Sequence, residues 1–564
     1  MELFENLALG FAAALTLENL MYAAVGCVVG TAIGVLPGLG PIATIAMLLP
    51  LSYSLSPAGA LIMLASIYYG AQYGSSTTAI LLKIPGESSS VVTTIDGHKM
   101  ARAGRAGPAL SAAAIGSFIA GTFGVLVLAT LSEPLTRVAF LFGPAEFFSL
   151  MTLGLVASIT LSSDSIDKSL GLMLTGLLIG MIGMDVNSGE IRLTGGMLDL
   201  VEGVELSALA MGVFGVAEIL VNLEEQRRSR NVPYVTRIGR IMPVRKDLQR
   251  MVPSVSRGSV VGAVLGLLPG AGVTLASFAA YSVEKKFSAR AHELGTGAIE
   301  GVAGPESANN AAAQTNFISL LTLGIPGSAV MALLLGAMVI QDIQPGPRVI
   351  TNHPELFWGL IASMWVGNLM LLVLNLPLIG VWVRLLRIPY RLLFPGVLVF
   401  CALGAYSVRN SVFDVYLLAG FGVAGYAVAK AGMSPVPLLL GLVLGPMLEA
   451  SFRRALTISQ GDFTVLFRQP LSLTFLVLAG AVIVAVARKG SASSRRSNAQ
   501  SSDAQPSNAQ LQHGKHPSEQ QPEQQPLHDG IQPLNGSFQP LHGSLQPMQG
   551  SRQPAHGGLQ PQVH

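Results

Sequence analysis

Apolar positions along this chain come in long, nearly unbroken runs, without the in-and-out rhythm of a soluble amphipathic helix. Runs long enough to cross, or nearly cross, a bilayer recur around residues 20–36, 41–70, 108–131, 140–160, 168–184, 205–221, 258–281, 317–342, 356–386, 395–430, 435–449 and 472–487. Several are cut internally by Gly or Pro, and two of the interrupted runs repeat one pattern. Gly26, Gly30 and Gly34 lead into Leu36-Pro37-Gly38-Leu39-Gly40; 232 residues later, Gly258, Gly262 and Gly266 lead into Leu268-Pro269-Gly270-Ala271-Gly272. Glycine at every fourth position gives a helix one flat face for close backbone contact, and the Leu-Pro-Gly-x-Gly that follows must break it. The pattern predicts an all-α polytopic membrane protein built as two repeated halves with Gly/Pro-broken transmembrane helices. Inversion, the commoner relation in two-part transporters with broken helices, is the expected one.

The echo continues past the glycines. One half runs through Tyr69-Gly70-Ala71-Gln72-Tyr73-Gly74-Ser75-Ser76-Thr77-Thr78 to Ile84-Pro85-Gly86. The other runs through Glu300-Gly301-Val302-Ala303-Gly304-Pro305-Glu306-Ser307-Ala308-Asn309-Asn310 to Ile325-Pro326-Gly327. With these polar clusters aligned, the second half carries about nine extra residues between cluster and Ile-Pro-Gly. The halves are expected at 1–222 and 258–487, joined by a basic linker at 223–257. Its stretch Glu224–Arg257 holds nine Lys/Arg against three acids, which places it in the cytoplasm by the positive-inside rule.

Composition agrees. At 51% hydrophobic and 12% charged residues, a chain of 564 residues has too little polar surface to be soluble. The N-terminus, with Glu2 and Glu5, lacks the basic segment of a signal peptide, so the first apolar runs are expected to serve as uncleaved insertion signals. Cys27 and Cys401 sit in apolar runs and form neither a disulfide framework nor a metal cluster; no metal site is expected. Residues 488–564 are rich in Ser, Gln, Pro, His and Gly and repeat approximately Gly-Ser-x-Gln-Pro-x-x. Such a segment cannot build a core and is expected to be a disordered tail.

Polar residues inside apolar surroundings carry the chemistry, because an unsatisfied polar group in hydrocarbon costs several kcal/mol, of order 2–7. Gln72, Ser75, Ser76, Thr77 and Thr78 form one cluster; Glu306, Ser307, Asn309, Asn310, Gln314 and Thr315 form the other. Hydroxyl and amide oxygens can coordinate Na⁺ together with carbonyls freed at a helix break, and backbone N–H groups at a resuming half-helix can hold a carboxylate. The breaks at Gly38, Gly40, Gly86, Gly270, Gly272 and Gly327 therefore join the candidate substrate site. The plainer alternative is that Ser and Thr bond back to their own helix and the asparagines bridge helices. Lys83, in an apolar run, either neutralises an anionic substrate or reaches a headgroup, Glu87 or Asp96. Glu300 and Glu306, with Asn309 and Asn310, are candidates for ion coupling, against structural pairing of each acid with Lys or Arg. The basic, glycine-rich stretch Asp96–Pro108 is expected to be a cytoplasmic loop.

The motifs at 30–41, 69–87, Asp96–Arg102 and 300–311 closely resemble the large membrane subunit of the tripartite tricarboxylate transporters, the TctA family. The resemblance spans about residues 15 to 487; Ser75 stands where a second glycine is expected, and the tail lies outside it. It implies a multi-pass permease of the bacterial inner membrane that works with a small membrane subunit and a periplasmic solute-binding protein. It also implies uptake of tricarboxylates or related small carboxylates, driven by an ion gradient with Na⁺ or H⁺ as co-substrate and no other cofactor. No nucleic-acid partner and no catalytic residues are expected. An ATP-driven pump would need a phosphate loop, and an intramembrane enzyme a nucleophile–base pair or a zinc motif; the sequence contains neither. A carboxylate channel or uniporter without ion coupling is the remaining alternative. Deleting residues 490–564 should leave uptake intact, a result checked by transport assays at matched membrane abundance.

Overall fold

The computed structural model describes residues 2–36, 40–161, 166–185, 188–228, 238–268, 272–386 and 390–484. Gly38, Gly270, part of the basic linker and the segment 488–564 lie outside the described residues. The first half contains α1 (Glu2–Ala14), α2 (Leu17–Val35), α3 (Pro41–Ser52), α4 (Pro57–Leu82), α5 (Thr93–Met100), α6 (Ala106–Ala139), α7 (Pro144–Leu161) and α8 (Ile166–Gly180). A two-stranded antiparallel hairpin, β1 (Gly183–Met184) and β2 (Ile191–Arg192), precedes α9 (Leu206–Ala210) and α10 (Ala217–Arg228). The second half opens with α11 (Arg245–Gly266), α12 (Gly272–Phe287), α13 (Glu300–Ile318), α14 (Ala329–Ile340), α15 (Arg348–Asn352) and α16 (Pro354–Asn375). It closes with α17 (Ile379–Leu385), α18 (Tyr390–Arg409), α19 (Val412–Lys430), α20 (Val436–Ile458) and α21 (Val465–Arg468). Six helices among the described residues are long and apolar enough to cross a membrane, as expected of an all-α polytopic membrane protein.

The two glycine-faced helices pack alike. A Cβ added at Gly26, Gly30 or Gly34 of α2 would strike backbone atoms of α4 at Met63, Ile67 and Ala71, at 2.5, 2.3 and 2.3 Å. At Gly258, Gly262 and Gly266 of α11 it would strike the Gly304, Ala308 and Ala312 backbone of α13, at 2.3, 2.2 and 2.5 Å. Residue numbers rise together in both contacts, so each pair runs parallel, with a shorter helix, α3 or α12, returning between its members.

This packing corrects the alignment of the halves. The partner lies 37 residues after its glycine in the first half and 46 after it in the second. The nine extra residues therefore precede α13, in the connection from α12, and do not follow the polar cluster. In the packed register Ile84-Pro85-Gly86 matches Ile325-Pro326-Gly327, whereas Glu306 matches Ala65 and Asn316 matches Ser75. The polar clusters are offset along equivalent helices, because the register is set by the glycine faces.

Helices α4 and α13 form the centre, and from Gly59 to Leu81 and from Glu300 to Ile318 every residue is buried. They cross antiparallel: Ser76 meets Glu306 at one end of the contact, and the rings of Tyr69 and Phe317 lie 5.9 Å apart at the other. The outer helices are exchanged between halves, α16 packing on α4 and α6 on α13. Asn368 of α16 ties this exchange, accepting from the Tyr73 hydroxyl (2.5 Å) and donating to Phe118 O (2.8 Å) and Thr122 Oγ1 (3.1 Å) of α6.

Two expected loops are in part helical. Asp96–Pro108 forms α5, a π-helical turn at Ala101–Arg105 and the start of α6, with Gly104 (φ 78°) at the kink. Its polar groups find partners distant in sequence, His98 Nδ1 against Ile80 O (3.1 Å) and Lys99 against Gly295 O, so the stretch packs instead of looping free. Residues 223–228 of the linker continue α10, and 245–257 belong to α11. Gly30→Ala and Gly262→Ala should each cost about 1–3 kcal/mol, since two backbones must separate, whereas Gly171→Ala, whose added Cβ meets nothing within 4 Å, should not. Thermal unfolding in detergent checks the contrast.

Candidate functional site

Helix α4 starts cleanly, with Ser56 Oγ accepting from Gly59 N (3.3 Å) and Pro57 in its first turn. It ends on Lys83 in the left-handed region (φ 60°), and Ile84-Pro85-Gly86 lead into a tight turn at 88–91. Helix α13 ends through a π-helical turn, Ser319–Leu323, onto left-handed Gly324 (φ 71°). Its Ile325-Pro326-Gly327 lead to Ser328, which caps α14 by accepting from Met331 N (3.3 Å). The two Ile-Pro-Gly segments are thus equivalent helix stops beside the central crossing.

Glu306 organises the crossing. It is 1% exposed and accepts from the Ser76 hydroxyl of α4 (2.7 Å) and the Thr93 hydroxyl of α5, so residues of both halves converge on one carboxylate. Among the described residues no Lys or Arg pairs with it. One turn on, Asn310 Nδ2 donates to Ser117 Oγ of α6 (2.7 Å) and to Glu306 O (3.1 Å). On the α4 side, Ser89 donates to Gln72 Oε1 (3.3 Å) and to Glu87 (3.3 Å). The Tyr68 hydroxyl stands near Gln72 and Asn316, and the Glu87 carboxylate interacts with Glu306. Gly327 lies against the Asn316 amide, where a Cβ would sit 2.1 Å from Oδ1.

Among the described residues several fully buried polar atoms here have no partner within hydrogen-bonding distance: both amide atoms of Asn309, Gln314 Oε1 and Ser307 Oγ, and also Gln72 Nε2 and Asn316 Oδ1, beside which the Glu87 carboxylate and the Tyr68 hydroxyl stand. Native interiors leave few such groups, each costing about 1–3 kcal/mol, and here they concentrate on the two crossing helices. Thr77 and Ser76 line a small cavity of about 10 Å³ with Tyr73, Ser117 and Asn375. That is room for about one water.

Other sequence candidates have plainer roles. Ser75 donates to Gln72 O (2.8 Å) and Thr78 to Ser75 O (3.0 Å), both bonding back to their own helix. Lys83 is exposed and, among the described residues, makes no ion pair with Glu87 or Asp96. Glu300 is gripped by Arg250 through two bonds of 2.8 Å, and the same guanidinium holds the Glu293 carboxyl below its ordinary pKa. Gly86 packs on Gly34 O and Ser75. Gly40 opens α3, its O accepting from the Thr44 hydroxyl (3.1 Å) and its N–H close to the Glu218 carboxylate. Gly272 (φ 60°) opens α12 beside the 88–91 turn, to which Thr274 is joined by a 2.8 Å hydroxyl contact with Ser88. Sequence reading missed Tyr68, Thr93, Asn316, Asn368 and Glu218 and named Glu87 only as a partner for Lys83; Glu87, directly after Ile-Pro-Gly, and Asn368, alone in an apolar run, carried a visible signal.

Asp96 makes a separate joint between the halves. Fully buried, it accepts from Gly295 N (2.8 Å), Gly297 N (2.7 Å), Ala298 N (3.0 Å) and the Tyr281 hydroxyl (2.9 Å). Gly301 must be glycine here, because a Cβ would lie 2.2 Å from the carboxylate. Asp96→Ala should lower stability by about 3 kcal/mol, since it strands buried donors, and by more than loss of the half-exposed Arg105–Asp247 pair. Unfolding of the two variants side by side checks this.

Comparison with known proteins gives a coherent picture. The family model described as "Tripartite tricarboxylate transporter TctA family" matches residues 20–440. A protein of Agrobacterium vitis described as "Uncharacterized 52.8 kDa protein in TAR-I ttuC' 3'region" is 53% identical over 496 residues, covering 88% of this chain and 98% of that one. A second, from the TAR-II ttuC' 3' region of the same organism, is 58% identical over 235 residues, 42% of this chain and 97% of that one. No solved structure matches.

Proposed function

Because the chain belongs to the TctA family of tripartite tricarboxylate transporters, and so is a multi-pass transporter subunit, we propose that it is the permease of a binding-protein-dependent importer of small carboxylates in the bacterial inner membrane. Its partners in this reading are the small membrane subunit and a periplasmic solute-binding protein. The observation that carries the mechanism is Glu306, a carboxylate at the crossing of α4 and α13 with hydroxyls from both halves and no cationic partner among the described residues. Such an acid in a membrane interior needs a proton or a metal cation to balance it, and is therefore suited to ion coupling.

The neighbouring residues suit the anionic co-substrate. The amides of Gln72, Asn309 and Asn316 have unused valence, and the α12 N-terminus at Gly272 adds backbone donors. Parallel packing within each half, antiparallel crossing between α4 and α13, and the exchange of α6 and α16 support an inverted repeat with its site at the repeat interface. Movement of one half against the other would expose Glu306 and its neighbours to each side in turn. Glu300, held by Arg250, then serves the scaffold and Glu306 the ion.

In proteoliposomes containing the complete transporter, Glu306→Gln should abolish concentrative uptake of labelled citrate under Na⁺ or pH gradients while leaving membrane abundance normal. Asn309→Ala and Thr77→Ala should raise the half-saturation concentration about tenfold, the loss of one polar contact each. Gradient-independent uptake in the unsubstituted protein would favour a uniporter; unchanged rate and ion dependence in all three variants would reject the site.

A further inference from the structure

A cavity of about 650 Å³ lies on the face opposite the basic connection, and its position follows from two helices. Helix α14, capped by Ser328 beside Asn316, carries Leu335, Gly336 and Val339 into the cavity lining about 10–16 Å along its length. Leu206 at the head of α9 lines it too. From there the helix runs through the π-helical turn Met211–Val216 and α10 to Arg228, about 34 Å away, where the basic connection begins. That length spans a bilayer, so with the basic connection in the cytoplasm the cavity belongs to the outer side.

Its charge is specific. Arg192 pairs with Glu449 (2.8 Å), and Arg453 pairs with Asp185 (3.0 Å) and Glu449 (2.7 Å). Arg409 pairs with the Glu202 carboxylate (3.7 Å) and reaches Gly203 O (3.0 Å), while Glu205 caps α9 by accepting from Ala208 N (2.8 Å). Among the described residues the lining carries four carboxylates, Asp185, Glu202, Glu205 and Glu449, against three guanidiniums, Arg192, Arg409 and Arg454; the acids are engaged by these contacts, and Arg454 is the charge left over. Among the described residues Arg454 is exposed in the lining and makes no ion pair, Arg192, bound to Glu449 through its other nitrogens, keeps a buried Nε without a partner, and the Tyr53 side chain lines the same space. The volume falls within the roughly 300–1,000 Å³ typical of small-ligand sites, ample for a small polycarboxylate.

We infer that this cavity is an outer loading site, where Arg454 holds a small carboxylate before α14 admits it to the crossing of α4 and α13. The inference rests on the reading of the protein as a carboxylate importer. Val339, 54% exposed, is a suitable reporter, because the native Cys27 and Cys401 are fully buried. In right-side-out membrane vesicles carrying the whole transporter, Val339→Cys should react with a membrane-impermeant maleimide, and citrate, but not a neutral sugar, should slow the reaction. Arg454→Gln in that background should remove the protection and raise the half-saturation concentration for citrate uptake about tenfold, as expected for one charge-assisted contact. Arg468→Gln, whose arginine is bound to Asp462, should change neither. Labelling indifferent to citrate, or an unchanged half-saturation in Arg454→Gln, overturns the loading site while normal uptake leaves the transport reading standing. If the unsubstituted protein takes up no carboxylate in the same vesicles, both fail together.

Discussion

Direct backbone contact at two glycine faces is the constraint on which everything else depends. In lipid there is no hydrophobic gain from bringing two apolar helices together, so association rests on close packing and on polar contacts. Removing three Cβ atoms in a row lets α2 settle on α4, and α11 on α13, at distances that an alanine would not permit. That approach covers one face of α4 and one of α13, and the two helices cross through what remains. A different register would carry Ser76 and Thr93 away from Glu306 and leave an unsolvated carboxylate, a cost far larger than any single packing defect.

The central polar cluster has two kinds of member. Ser75, Thr78 and Thr315 satisfy their hydroxyls on their own helices and need nothing from outside. Gln72, Asn309 and Asn316 retain unused hydrogen-bonding capacity deep in the protein. The two differ in energy: a back-bonded hydroxyl costs little to bury, whereas a half-satisfied buried amide carries a desolvation cost that its own contacts do not offset. Glu300 and Glu306 divide in the same way, one closed by Arg250 and the other met only by hydroxyls.

Much of this was legible in the chain. The repeated glycines, the Ile-Pro-Gly stops, the membrane class and the polar clusters all follow from residue type and spacing, since Gly and Pro act locally on the backbone. The register between the halves was not, because aligning polar with polar places Glu306 opposite Gly74 and Ser75 in the repeat, and only the packed helices show that it answers to Ala65. Asp96–Pro108 misled for a related reason. Its acid and basic groups read as a solvated loop, while Asp96 is satisfied by backbone N–H groups of Gly295, Gly297 and Ala298, about two hundred residues away and carrying no side-chain signal. Contacts made by the backbone of distant segments leave little trace in composition.

The exchange of α6 and α16 also sets an order of events during synthesis. Tyr73 emerges 295 residues before Asn368, its partner on α16, and Ser117 emerges 193 residues before Asn310. At roughly 5–20 residues per second, the wait for Asn368 lasts about 15–60 s. Through that interval α4 has inserted without the helix that will cover it, its hydroxyls and amides facing lipid, the translocation machinery or a neighbouring chain. The first half is thus an open clasp until the second arrives, and the vulnerable period of this protein's life falls at its birth in the membrane.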